Sequence, residues 1–161
     1  MFRYVFPNLS PQHNNGVILM FFNELKEGMT ASLDPVVIDR EEMLAFAKRF
    51  DDVPLHTDEE YAKKTHFGDI ISPGMYSFNA VWAKYLEKDM FGEELLAGMS
   101  TSVEWLAPVY AGDTLTGKAV ITALIPRSER NGVAEVRISV VNQHGNTVMI
   151  ADTKAAVKNR I

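Results

Sequence analysis

The sequence predicts an α+β domain in which one antiparallel sheet packs a face against a long helix. Between Asp39 and Gly92 the apolar residues recur at helical spacing, whereas after Gly98 they alternate along runs rich in β-branched residues. The chain has 161 residues, 47% of them apolar, which suits a single hydrophobic core. We therefore expect short strands, then helices, then long antiparallel strands.

The first predicted helix is the run DREEMLAFAKRF. Asp39 can accept a hydrogen bond as its N-cap, and Glu42 is spaced to reach back in a capping box. Its apolar side chains share one face, namely Met43, Phe46, Ala47 and Phe50. A short helical turn, TDEEYAKK, follows, with Thr57 and Glu60 in the same capping relation.

A longer helix is predicted within SPGMYSFNAVWAKYLEKDMFG, over about Pro73 to Met90. Ser72 can cap it, Pro73 suits the first helical position, and Gly92 can end it. Its apolar face is broad and consists of Met75, Phe78, Val81, Trp82, Tyr85 and Leu86. Because of this broad face, we expect the helix to form the centre of the core.

The predicted sheet comes mainly from the runs MSTSVEWLAPV, TLTGKAVITALI, GVAEVRISVVNQ and NTVMIADTKAAVK. They are separated by YAGD, PRSERNG and HG, which are hairpin or loop signals. NGVILMFF and MTASLDPVVI are further strand candidates nearer the N-terminus. Residues 1–16 have the Pro- and Asn-rich composition of a loop-like extension, so residues 17–161 are expected to form a single domain.

Composition narrows the classes of function. The formal net charge is −5 with acids and bases interspersed, so the sequence lacks a basic stripe for binding nucleic acid. The absence of cysteine excludes disulfides and thiol catalysis and fits a cytoplasmic protein. No apolar run approaches the roughly 20 residues that span a bilayer, and no signal peptide is recognised. We therefore expect neither nucleic acid nor membrane as a partner.

The stretch FDDVPLHTDEEYA contains the first chemical candidate, His56. A lone histidine is more often a packed or surface residue than a catalyst. Here, however, Pro54 fixes its own φ and extends Val53, so we expect a stiff loop that presents the imidazole to a cleft. Asp51 and Asp52 both lie close in sequence, and spacing alone favours neither as the partner of His56.

Other polar residues are weaker candidates. Asp58–Glu60 has the simpler role of an acidic helix start. Gly74 lacks a side chain that would shield its N–H, which suits an oxyanion hole, although close packing also explains a glycine there. Arg127 and Arg130, with nearby Lys118, could bind phosphates, but such loops are more often solvated surface. The sequence contains no metal-ligand spacing, P-loop, dinucleotide fingerprint or nucleophile elbow.

Taken together, these residues resemble the MaoC-like acyl dehydratases, the family that includes (R)-specific enoyl-CoA hydratases. FAKRFDDVPLHTDEEYA is similar to the family's hydratase motif, and FGDIISPGM is similar to the segment that leads into its central helix. VEWLAPVYAGDTL and RSERNGVAEVRISVVNQHGNTVM resemble its characteristic strand and turn and its final hairpin. The resemblance extends from about Met20 to Arg160.

The resemblance implies a hot-dog fold, in which a curved antiparallel sheet wraps the long helix. It also implies a homodimer, sometimes assembled further, with acyl-CoA bound at the subunit interface. Asp51 and His56 would be the catalytic pair, and Gly74 the oxyanion-hole residue, for reversible hydration of a trans-2-enoyl thioester. The chain departs from the family at Val53, where many hydratases carry Asn.

Residues expected to contact the substrate are Ser72, Val53, Met75, Arg127 and Arg130. We expect no cofactor and no metal, with coenzyme A present only as part of the substrate. Two alternatives stay open. A hot-dog thioesterase commonly places an acid in the central helix, where this chain has none before Glu87. A non-catalytic acyl-thioester binding protein is favoured by the valine at position 53.

Overall fold

The computed structural model describes residues 20–161, and the predicted N-terminal extension, residues 1–16, lies outside them. The helices are α1 (Arg40–Phe50), α2 (Pro54–Thr57), α3 (Glu59–Lys63) and α4 (Gly74–Glu87). The strands are β1 (Thr30–Ser32), β2 (Val36–Val37), β3 (Leu95–Trp105), β4 (Thr114–Pro126), β5 (Asn131–Val141) and β6 (Thr147–Lys158). Two short 3₁₀ helices are Phe22–Glu24 and Gly92–Glu94.

The strands form one antiparallel sheet in the order β1-β4-β5-β6-β3, and β2 pairs with the start of β4. The long predicted strands are confirmed, although β3 begins earlier than predicted, at Leu95. MTASLDPVVI contains β1 and β2, as predicted. Residues 15–19 of the predicted strand NGVILMFF lie outside the described part, and Phe22, near its end, begins a 3₁₀ helix instead of continuing a strand. The Phe22 ring lies over Gly132, where it leaves no room for a Cβ on the glycine.

Helix α4 lies on the inner face of the sheet and fills the centre of the core, as predicted. Its buried side chains include Phe78 and Val81, and Gly117 of β4 lets Val81 approach the strand closely. Met75 and Leu86, predicted on the same face, are 46% and 53% exposed, so the buried face of the helix is narrower than predicted. A sheet wrapped around one helix is the hot-dog fold, so that prediction is confirmed.

The start of α4 differs from the prediction. Pro73 has an extended ψ of 133° and occupies the N-cap, so the helix begins at Gly74. Ser72 does not cap the helix. Its hydroxyl is buried and accepts a hydrogen bond from the Ser77 hydroxyl at 2.9 Å. This buried pair holds the turn that enters α4 close to the helix's first two turns.

The end of α4 also differs, because the helix stops at Glu87 rather than near Met90. Asp89 takes a φ of 45°, which is left-handed and interrupts the helical hydrogen bonds. Gly92 therefore does not end α4 but begins a 3₁₀ helix of its own. No helix within residues 20–161 is long and apolar enough to cross a membrane.

Helix α1 is capped as predicted, since the Asp39 carboxylate accepts from the Glu42 N–H at 2.9 Å. The second hydrogen bond of the predicted capping box, from the Asp39 N–H to the Glu42 side chain, is not formed, so that part of the prediction is wrong. The Glu42 carboxylate instead accepts from the Tyr76 hydroxyl at 3.0 Å, which ties α1 to α4. Met43 is fully buried, whereas Phe50, predicted on the same face, is 65% exposed because it lies at the end of the helix.

The segment after α1 is more regular than predicted. Residues 54–57 form the single helical turn α2 rather than a loop. Thr57 belongs to this turn, where its hydroxyl donates to the Val53 carbonyl, so it cannot cap the next helix as predicted. Asp58 caps α3 by accepting from the Tyr61 N–H at 3.0 Å. The acidic start of a short helix is therefore confirmed, with Asp58 as its cap.

Candidate active site

The position of His56 follows from the short helix α2. Val53 is extended, with φ −112° and ψ 149°, and Pro54 occupies the first helical position, whose fixed φ suits it. The His56 N–H donates to the Val53 carbonyl at 2.9 Å, which fixes the backbone of the turn. The imidazole is turned inward, and the residue is only 9% exposed. A buried histidine needs hydrogen-bond partners, and two groups approach its ring.

The first partner of the His56 ring is a backbone carbonyl. Nδ1 lies 2.8 Å from the Ile71 oxygen. Because a carbonyl only accepts, Nδ1 carries a proton and donates it, which leaves Nε2 of the neutral ring as an acceptor. Ile71 is held in turn by a bridge to Tyr110, and the next N–H, that of Ser72, donates to the Val109 carbonyl at 2.7 Å. The tautomer of His56 is thus set by a rigid segment.

The second partner is Asp51. Its Oδ2 lies 3.6 Å from Nε2 of His56, which is too long for a direct hydrogen bond but short enough for both groups to contact one small molecule. The Asp51 side chain is 40% exposed and that of His56 is 11% exposed, so the pair faces an open side. Within residues 20–161, Asp52 makes no ion pair and no side-chain hydrogen bond. The geometry therefore brings Asp51, rather than Asp52, to the imidazole.

Gly74 lies at the other side of this segment, three residues after Ile71, as the first residue of α4. Its N–H donates to no acceptor within residues 20–161. The first N–H groups of a helix carry the positive end of its dipole, which favours a negative charge nearby. The indole of Trp105 covers the same residue, and its Nε1–H donates to the Gly74 carbonyl at 3.0 Å. Reasoning from the sequence assigned no role to Trp105 beyond its place in the VEWLAPV motif.

Three of the other predicted contact residues lie near this centre. Ser72 lies in the segment between Ile71 and Gly74, but its side chain is buried and only its backbone can face a ligand. Met75 follows Gly74 and is 46% exposed, and Val53 is 42% exposed beside Asp51. Both are therefore exposed apolar residues, one next to Gly74 and the other close to Asp51 in sequence.

Arg127 and Arg130 are not brought to this centre within one chain. They lie in the hairpin between β4 and β5, beside the C-terminal end of β6, where the Asn159 N–H donates to the Arg130 carbonyl. His56 lies at the other end of the sheet, near the end of β3 and the start of β4. Within one chain the two arginines are therefore too far away to bind a phosphate at the His56 site, and only the arginines of a second copy of the chain could do so.

An aromatic wall adjoins Asp51. The Tyr76 ring contacts Phe46, and Phe46 contacts Phe50, with ring centroids 5.7 and 5.1 Å apart. The pKa of Tyr76 is raised to about 12. Burial of the phenol is the larger cause, and its hydrogen bond to the Glu42 carboxylate is the next. An ordinary phenol is already protonated at neutral pH, and the raised pKa keeps the Tyr76 hydroxyl protonated, with its bond between α4 and α1, above pH 10 as well.

The fold and this geometry define a hot-dog domain with a histidine–carboxylate pair at the N-terminal end of its central helix. Residues 23–143 match the family model described as MaoC like domain. The chain belongs to this family of MaoC-like dehydratase domains. The resemblance noted from the sequence motifs is therefore confirmed.

Particular relatives agree with this assignment. The chain is 32% identical over 113 residues to an (R)-specific enoyl-CoA hydratase of Rhodospirillum rubrum, covering 70% of this chain and 77% of the relative. It is 28% identical over 145 residues to a 3-hydroxybutyryl-CoA dehydratase of Methylorubrum extorquens, covering 87% and 84%. A solved structure of a monoamine oxidase regulatory protein from Archaeoglobus superposes with a TM-score of 0.82 at 27% identity, covering 88% of this chain and 96% of that one.

Proposed function

We propose that this protein is a hydro-lyase that reversibly hydrates a trans-2-enoyl-CoA to a 3-hydroxyacyl-CoA. The observation that carries the proposal is the position of His56 Nε2 3.6 Å from Asp51 Oδ2 beside the start of α4. Membership of the MaoC-like family supports the class of reaction, as do the printed activities of the Rhodospirillum and Methylorubrum relatives. Coenzyme A enters as part of the substrate, and no separate cofactor is proposed.

In this mechanism, a water molecule lies between Nε2 of His56 and the Asp51 carboxylate. The water oxygen attacks C3 of the enoyl thioester while one group of the pair takes a water proton, and the pair delivers a proton to C2. One water is thereby added across the double bond. The hydrogen bond from Nδ1 to the Ile71 carbonyl keeps Nε2 in the form that can accept the proton.

Negative charge moves onto the thioester oxygen as C3 is attacked. The Gly74 N–H, at the positive end of α4, is the donor proposed to stabilise that oxygen. A positioned acid–base group contributes about 10²–10⁴-fold, and one oxyanion donor about 10²–10³-fold. Val53 adds no hydrogen bond from its side chain, so orientation of the pair relies on the Ile71 carbonyl and the backbone of α2.

The proposed active form is a homodimer that pairs through β3. This strand lies at the edge of the sheet, and all its residues are exposed except Val103, which is half-buried. Leu96 and Met99 are 53% and 51% exposed, a large apolar surface for an edge strand. Light scattering should give a dimer for the wild type and a monomer for Met99→Lys, while Val37→Lys at an exposed position of β2 should stay dimeric. A monomeric wild type would refute this assembly.

The experiment for the activity follows loss of the conjugated enoyl-thioester absorbance with crotonyl-CoA and with longer and branched analogues. Thiol release from the corresponding saturated acyl-CoA is measured in parallel. Hydration without thiol release supports the proposal. Release of coenzyme A without hydration would instead identify a thioesterase, and tight binding without either reaction would identify the non-catalytic alternative.

A further inference from the structure

We propose that Trp105 is a positioning residue for the substrate thioester. Its indole closes one side of the space beside the Gly74 N–H, and its own N–H anchors the ring to the Gly74 carbonyl. The inference rests on the proposed oxyanion role of Gly74 and extends it to a residue of the edge strand β3. Two separate observations at the start of α4 carry it.

The first observation is how closely the indole packs on Gly74. A Cβ built at this glycine would lie 2.6 Å from Cε2, 2.8 Å from Nε1 and 3.0 Å from Cδ2 of Trp105. The nearest atoms are therefore all in one indole ring. Contacts this short require something to move, so the ring occupies the place that a side chain at position 74 would take. The indole thus forms a wall beside the first N–H of the helix.

The second observation is a hydrogen bond that restrains the glycine. The Nε1–H of Trp105 donates to the Gly74 carbonyl at 3.0 Å. Glycine has the widest backbone freedom of any residue, and the first turn of a helix lacks the hydrogen bonds that hold later turns. A tryptophan N–H on this carbonyl therefore restrains the Gly74–Met75 peptide in the first turn of α4 and holds the indole against the glycine.

The backbone of Trp105 is itself well anchored, while the indole stays accessible. Trp105 pairs with Met149 of β6, which is 1% exposed. The tryptophan residue is 47% exposed, although part of its indole covers Gly74. An apolar ring at this place keeps water away from the Gly74 N–H, and a hydrogen bond to a charged oxygen is stronger where water is excluded.

The structure separates two reasons for a glycine at position 74, namely room for the substrate and room for the indole. If Trp105 positions the thioester, Gly74→Ala acts largely by displacing the ring. The losses of kcat for Gly74→Ala and Trp105→Ala should then be non-additive, with the double variant close to Trp105→Ala alone. Additive losses, or full activity of Trp105→Ala, would overturn the proposal.

A conservative variant separates the hydrogen bond from the ring. Trp105→Phe keeps an aromatic wall but loses the N–H, so kcat on crotonyl-CoA should fall about 2- to 10-fold with KM nearly unchanged. Trp105→Ala should cost more, up to about 10²-fold, because wall and donor are both lost. A Trp105→Phe variant with unchanged kcat and a raised KM would contradict a role of the Trp105 N–H in holding the indole against Gly74.

Fluorescence provides a readout that does not require turnover. The chain has two tryptophans, so Trp82→Phe leaves Trp105 as the single emitter. Titration with butyryl-CoA, a saturated thioester that cannot be hydrated, should shift or quench its emission, and equilibrium dialysis measures the binding itself. A change in emission without crotonyl-CoA hydration would support Trp105 and refute the hydratase. Bound butyryl-CoA with unchanged emission would refute the role of Trp105, and absence of binding would refute both.

Discussion

Asp51→Asn is the substitution that tests the proposed pair most directly. Asparagine has nearly the shape of aspartate and can still bind a water molecule, but it has no charge and cannot take a proton at neutral pH. The variant therefore removes the chemistry of the Asp51 carboxylate while retaining the packing at the end of α1. We expect a lower kcat for hydration of crotonyl-CoA with a small change in KM, because the carboxylate acts on the transition state.

The size of the loss follows from the distance between the two groups. Once His56 has taken a proton, Oδ2 and Nε2 form a unit charge pair 3.6 Å apart. Such a pair interacts by roughly 1 kcal/mol in water and roughly 5 kcal/mol at an effective dielectric constant near 20. The Asp51 side chain is 40% exposed, which favours the lower part of that range, about 1–2 kcal/mol. This electrostatic part is included in the contribution of a proton-transferring group, so we expect a total loss of about 10²–10⁴-fold, equivalent to about 3–5 kcal/mol.

The assay measures initial rates of crotonyl-CoA hydration, with circular dichroism and thermal unfolding to show that the variants fold. Asp52→Asn is the matched control. The Asp52 carboxylate is next to Asp51 in sequence but makes no ion pair or side-chain hydrogen bond in the described part of the chain. This variant should keep kcat within about 3-fold of the wild type, as a solvated surface acid. Equal losses in the two variants, or a loss confined to Asp52→Asn, would refute the assignment of Asp51.

The remaining predictions concern the frame that holds the site. Met43→Ala should lower the free energy of unfolding by about 2–5 kcal/mol in urea denaturation because Met43 is fully buried, whereas Lys48→Ala on the exposed face of α1 should change it by less than about 0.5 kcal/mol. Asp39→Ala should cost about 1 kcal/mol in the same assay, because it removes the α1 cap, and a cost near zero would contradict that role. The pKa of Tyr76 is raised in the fold, from about 10 to about 12. The folded state therefore keeps the proton longer than the unfolded chain does, and the stabilisation is complete below about pH 10 and lost as pH rises towards 12. Accordingly, the wild type should lose stability more steeply than Tyr76→Phe above pH 10, and parallel slopes would contradict the raised pKa.

The sequence predicted the elements whose signals are local. The four long strands and α4 followed from period and turn residues, and the Asp39 cap followed from residue type and position. Errors occurred where two residues compete for one role. Thr57 and Asp58 are both capping residues, and only the extra helical turn α2 decides that Asp58 caps α3. Such a choice depends on backbone conformation rather than on residue type.

The candidate site likewise contains some residues that a local motif predicts and others that only the fold brings together. The family resemblance of the motif around His56 was needed to select Asp51, because Asp51 and Asp52 are both close to His56 in sequence and spacing favours neither. The other groups come from distant segments. The Ile71 carbonyl that sets the tautomer of His56 lies 15 residues further along the chain. No period or spacing in a single sequence indicates such a contact.

The sequence by itself determined that this protein is an α+β domain, because helical and strand periods are local patterns. The resemblance of its motifs identified the MaoC-like family, the hot-dog fold and the candidate pair of Asp51 and His56. The tertiary structure alone decided how the pair is oriented and what surrounds Gly74. Trp105 is 31 residues from Gly74, and it reaches the glycine only because the sheet returns the end of β3 to the start of α4. Contacts of this kind depend on packing between distant segments, which becomes defined only when the whole sheet closes on its helix.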